Sequence, residues 1–177
     1  MATLMPPPAS VPIEALKAYL RVVGSDEDAL LAAALRSASA LCEAFTRLAL
    51  IERDVIEILP AQPCWARLAQ TPLRSITGVS ALSPSGDTIA LQAGDYGIDI
   101  DAAGDGWVRV MRSGTGRVQV AYRAGQAADW NGVPEPLRQG IVRMAGHIYT
   151  HRDDEDGGGP PAAVTALWLP YRRLRLR

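Results

Sequence analysis

Cysteine, histidine, aromatic residues and net charge are all scarce in this sequence, and each shortage closes off a class of protein. Two cysteines, Cys42 and Cys64, in 177 residues cannot form the framework of a disulfide-stapled secreted fold. Cys42 falls on an apolar helical stripe and reads as a small buried hydrophobe. His147 and His151 are the two histidines, so any Ser-His-Asp arrangement must use one of them, and no G-x-S-x-G accompanies them. The formal net charge is −1, without the strongly basic balance of a protein whose main partner is nucleic acid. No apolar run is long enough to span a bilayer. The opening MATLMPPPAS lacks a basic n-region, and Pro6-Pro7-Pro8 would break an apolar one, so no signal peptide is expected. What remains, 48% apolar and 21% charged, is the balance of an ordinary globular chain with room for one domain and a sizeable insertion.

Residues 1–10 read as a flexible or extended arm, because three consecutive prolines exclude helix. A short helix is expected over 12–22, with Ile13, Leu16 and Leu20 on one side and Gly24 closing it. Ser25-Asp26-Glu27-Asp28 reads as a helix start, Ser25 capping and Asp28 at the reciprocal box position. The alanine-rich helix that follows, to about residue 48, carries a stripe of Leu31, Leu35, Ala38, Leu41, Cys42 and Phe45. Between about 51 and 126 the character changes. Short β-like segments at 55–59, 64–69, 76–82, 88–92, 96–100, 107–111 and 117–123 alternate with turns rich in Gly, Pro, Ser and Asp. Such spacing predicts an antiparallel meander curled into a small sandwich or open barrel. Residues 117–152 then pass from a strand (Val118, Val120 and Tyr122 on one face) to a helix started by Pro134 and Pro136. That helix is striped by Leu137, Ile141, Met144, Ala145 and Ile148. This stretch is the seam between a helical frame, about 11–50 and 133–170, and an inserted β module. The acidic, glycine-rich run 153–161 reads as a loop, and the residues from 162 on as a short amphipathic turn or helix broken by Pro170. YRRLRLR (171–177) closes the chain as a basic tail. The fold class expected is therefore α+β, with three to four helices framing the insertion.

Few residues suggest chemistry. His147 and His151 have the i, i+4 spacing of zinc ligands, but Ile148 stands where a zincin needs its general-base glutamate. The preferred reading is a helix end carrying cations that suit the dipole, with no metal and no cofactor. Ser113-Gly114-Thr115-Gly116 joins two strands, so it reads as a hairpin turn and not as a phosphate cradle. Asp99, Asp101 and Asp105 lack the terminal glutamate of a calcium loop. Trp65 and Trp107 are expected in the β core. Trp168 divides evenly between packing on its own core and serving, with Tyr171, Arg172, Arg173 and Arg175, as a partner interface, since tryptophan, tyrosine and arginine are what interface anchors are made of.

The order of the pieces adds a resemblance. A short LKAYLRV helix and an acid-led alanine-rich helix come first. Thr71-Pro72-Leu73-Arg74-Ser75-Ile76-Thr77-Gly78-Val79 and Val118-Gln119-Val120-Ala121-Tyr122-Arg123-Ala124-Gly125 follow. Val133-Pro134-Glu135-Pro136-Leu137-Arg138-Gln139 and His147-Ile148-Tyr149 complete the set. From about residue 12 to 173 this resembles the head–tail connector (adaptor) proteins of long-tailed bacteriophages, prophages and gene transfer agents. Gln126 and the long acidic loop depart from the family pattern. The resemblance implies a non-enzymatic virion protein that forms rings of about a dozen copies through head-to-tail contacts. It implies a place in the neck, beneath the portal protein, with a stopper or tail-completion protein as the next partner. DNA would pass through its channel unread. Assembly in the bacterial cytoplasm and no membrane partner go with it. Two other classes stay open on the residues: a small metal-dependent hydrolase using His147 and His151, and a β-sandwich ligand-binding module with a helical oligomerisation frame.

Overall fold

The computed structural model describes residues 2–4 (backbone only), 11–112, 114, 116–151 and 160–173. It divides into two compact units, one of residues 1–8 and 49–128, the other of residues 9–48 and 129–177. Among the described residues, four α-helices and two antiparallel sheets make it an α+β chain, as the sequence predicts.

In the β unit, strands β1 (Ala2–Leu4), β2 (Arg53–Pro60), β4 (Leu73–Leu82), β5 (Thr88–Ala90) and β8 (Arg117–Ala124) form one sheet in the order β1-β2-β8-β4-β5. Strands β3 (Ala66–Arg67), β6 (Tyr96–Ile100) and β7 (Gly106–Val110) form a second in the order β3-β7-β6. The expected meander is not what forms. β8, last in sequence, lies between β2 and β4, and it belongs to a different sheet from β7, so the two strands do not form the expected hairpin. The physical reason is burial. Val118, Val120, Tyr122 and Ala124 are all at most 1% exposed, and a strand with so apolar a face gains most in the centre, paired on both edges. In the arm expected to be flexible or extended, Ala2–Leu4 is extended and pairs antiparallel with β2, Thr3 opposite Ile56. The two sheets share one core, Val55, Val79, Val118 and Val120 from the larger packing with Leu68, Val108 and Val110 associated with the smaller, so the module is a small sandwich.

Two polar clusters pin this sandwich. The buried Glu57 carboxylate accepts hydrogen bonds from the Tyr122 hydroxyl (2.8 Å) and the Ala69 backbone N–H (2.9 Å), while the Tyr122 oxygen accepts from the Gln70 N–H (3.3 Å). Burial first, and the Glu57 charge second, push the Tyr122 phenol well above its ordinary range. Asp105 accepts from the Thr71 hydroxyl (2.9 Å) and pairs with Arg67 (2.5 Å). Residues 69–72, which belong to no strand, are thus held from both sides.

The helical unit contains α1 (Ile13–Leu20), α2 (Asp28–Thr46), α3 (Glu135–Thr150) and α4 (Ala162–Trp168). The capping box does not form. Glu27 is the N-cap of α2 without a side-chain bond, and Asp28 pairs with Lys17 at 2.5 Å. Gly24 does not close α1 either, because Arg21 takes the left-handed cap at φ 58°, as Arg47 does after α2 at φ 61°. In the α2 stripe, Leu41 is 40% exposed and Ala34 holds the buried position. α2 packs against α3, where Leu137, Ile141, Met144 and Ala145 are buried.

Candidate interaction surfaces

The C-terminal segment was the expected partner interface, and its members divide. Trp168 is fully buried. It fits where Gly140 of α3 leaves room, for a Cβ at residue 140 would stand 2.1 Å from the indole Nε1. The Phe45 ring lies 5.9 Å away, tilted by 51°. In this chain Trp168 therefore fills its own core and offers no surface to a partner, and among the described residues its Nε1–H has no hydrogen-bond acceptor. Arg172 is exposed and places its guanidinium 5.3 Å over the Phe45 ring. The Arg173 backbone N–H donates to the Thr46 carbonyl at 3.0 Å, fastening the chain's last described residue to the end of α2. Tyr171 is half-buried and Leu169 is 55% exposed. Arg175 lies outside the described residues. Sequence reasoning missed Arg47, exposed at the α2 cap next to Thr46, whose carbonyl holds the Arg173 backbone. Its only signal was its place at the end of a long helix, where a cation suits the dipole.

The histidines meet each other. Their rings are 4.3 Å apart, and His151 Nδ1 lies 3.1 Å from the His147 carbonyl and 2.8 Å from Thr150 Oγ1. These contacts finish the C-terminal turn of α3. Asp153 to Asp156 fall outside the described residues, and among the described ones no group of three or more His, Cys, Asp or Glu is gathered as metal ligands. The Asp101 carboxylate is taken by the chain's own donors: the Ala103 and Asp105 N–H groups at 2.9 Å each, and the Trp107 Nε1–H at 3.2 Å.

The second sheet has an outer face that the sequence did not disclose. Trp65, expected in the core, is 44% exposed, with the Arg109 guanidinium 4.7 Å over its ring. Arg109 crosses Gly97, where a Cβ would meet its Nε at 2.9 Å and Trp65 at 3.4 Å. Asp99 stands opposite the half-buried Trp107 on the same face. On the other face Ile98, opposite Val108, is 47% exposed and Ile100 39%. β6 is the edge of its sheet. The signal was present in the alternation of residues 96–100; which strand would be the edge was not.

No protein-family model and no curated protein matches the sequence. Solved structures do. The chain is similar over its whole length to a chain of the neck of an empty gene transfer agent particle, computed with C6 symmetry. The TM-score is 0.83 and the identity 26%, over 97% of that chain. A chain of the neck of the native particle, computed with C12 symmetry, matches at 0.74 with 27% identity, again over 100% and 97% of the two chains. A chain of the virion of the native particle matches at 0.81 with 24% identity over the same shares, a likeness of fold. The resemblance to head–tail connectors of gene transfer agents, read from the ordered motifs, is borne out by these neck structures.

Proposed function

We propose that this chain is a structural virion protein of the neck, one subunit of a symmetric ring that joins the head to the tail. The observation that carries the reading is the whole-length match, at a TM-score of 0.83, to a chain of a gene transfer agent neck. The sixfold and twelvefold symmetries with which similar necks were computed support a ring. A closed ring needs two different complementary faces on each subunit, and two compact units of different construction can provide them. The near-neutral chain also suits a DNA conduit, because a lining that neutralised many phosphates would hold the DNA in place.

In this reading the ring docks on the portal protein and receives a stopper or tail-completion protein. The portal or a neighbouring copy meets the segment carrying Tyr171, Arg172, Arg173 and Arg175, with Arg47 beside it. Trp168 supports that segment from inside the core. The test is co-expression with the portal protein, followed by sedimentation and electron microscopy. A ring-sized assembly migrating with the portal is expected; a chain that stays at monomer mass beside intact portal would sink the proposal.

A further inference from the structure

β6 carries a charge on its edge, Asp99, but lacks the other devices that block pairing. It has no lysine, no proline and no bulge, and its pairing with β7 runs unbroken from Tyr96 opposite Val110 to Ile100 opposite Gly106. Its free side therefore presents a row of backbone donors and acceptors suited to another extended chain. The side chains specify what that chain must be. Ile98 and Ile100, on the inner face, ask for apolar neighbours. On the outer face the order is Gly97, Asp99, then Asp101 just beyond the strand. Asp99 is exposed, and the Asp101 carboxylate is held in place by the Ala103 and Asp105 N–H groups and the Trp107 Nε1–H. An incoming strand with arginines two residues apart matches this pair. A cation beside Gly97 instead would face the Arg109 guanidinium, so like-charge repulsion selects the register.

The chain contains one sequence with that alternation. Leu174-Arg175-Leu176-Arg177 follows the last described residue and sets leucine and arginine against the isoleucine and aspartate of Ile98-Asp99-Ile100-Asp101. We propose that β6 is the docking edge for residues 174–177 of a second copy of this chain. The leucines lie beside Ile98 and Ile100, and the arginines beside Asp99 and Asp101. The inference rests on the ring reading, since a head-to-tail ring gives every tail a neighbouring edge.

The test mixes two preparations of the full chain. One is isotope-labelled; the other is unlabelled and carries a nitroxide on a cysteine appended after Arg177, in a Cys64→Ser background. Broadening of the Gly97, Ile98, Asp99 and Ile100 amides in the labelled copy is the expected result. Asp99→Arg in the labelled copy should weaken the effect about fivefold, as reversal of one cross-strand charge pair does. Arg175→Asp or Arg177→Asp in the spin-labelled copy, whichever stands opposite residue 99, should then restore it. Broadening only when label and nitroxide share one chain would assign the edge to the chain's own tail and overturn the proposal. No broadening of β6 in either arrangement would overturn it as well. A portal-bound ring formed undiminished by a chain whose β6 fails this test leaves the neck function standing; failure of the ring with β6 pairing intact strikes the neck function alone.

Discussion

The two units solve the same problem, closing a core, by opposite means. The helical unit is shape-fitted and apolar: Gly140 makes room, Trp168 fills it, and the one polar atom in the contact, the indole N–H, has no partner among the described residues. The β unit is threaded by polar pairs, Glu57 with Tyr122 and Asp105 with Thr71 and Arg67, that tie a segment without regular structure to strands on either side. Packing suffices where helices bring their own backbone hydrogen bonds. Residues 69–72, lacking a ladder, must be supplied with bonds by side chains.

The comparison can be broken first in the helical unit. Trp168→Ala should cost about 3–5 kcal/mol, the usual loss for emptying a large aromatic site. Hydrogen exchange should show protection lost in α2, α3 and α4. Trp168→Phe should cost far less, because the orphaned N–H disappears together with part of the volume. If the two variants are equally damaging, the N–H has a role that shape-fitting does not explain. A truncation meant to remove only the basic segment must therefore begin after Trp168, since cutting at 162 removes core.

In the β unit the expected effect is smaller and depends on pH. Tyr122→Phe takes a donor from the buried Glu57 carboxylate and should cost about 1–3 kcal/mol near neutrality. Because the folded state holds the Tyr122 phenol above its ordinary value of 10.0, the neutral phenol's contribution is complete below pH 10.0. It is lost as the pH rises from there through the folded value. Urea melts from pH 8 to 11 should show the native chain losing stability at the alkaline end faster than Tyr122→Phe. Parallel curves would remove the buried phenol from the account.

How much of this was legible in sequence also follows the division between units. Periodicity found all four helices and seven of the eight strands, because burial imposes a period of 3.6 or 2 on every element that forms a core face. It could not find partners. That β8 lies centrally, that Asp105 reaches Thr71 across 34 residues, or that Trp65 faces outward depends on pairing between distant segments. Capping was misread for a related reason. Ser25 offers a good cap, yet α2 begins at Asp28, whose carboxylate is drawn to Lys17 on α1. Among the expected interface residues the composition was informative and the exposure was not. A tryptophan next to arginines reads alike whether it faces a partner or a glycine on its own third helix.

The smallest effect sharpens the contrast at one thiol in each unit. Cys42, on α2, is fully buried, and that burial, with Glu43 beside it, pushes its thiol far above the ordinary range. Cys64, just before β3, is exposed. A thiolate is the reactive form, so near neutral pH a disulfide reagent should titrate one group quickly, and Cys64→Ser should abolish that phase. Cys42 should react only as fast as the helical unit opens. Its labelling rate is thus a meter of that unit's packing, and Trp168→Ala should raise it while Tyr122→Phe leaves it unchanged. An equal rise in both variants would mean that the two cores open together, and that the difference in how they are closed has no consequence for how they fail.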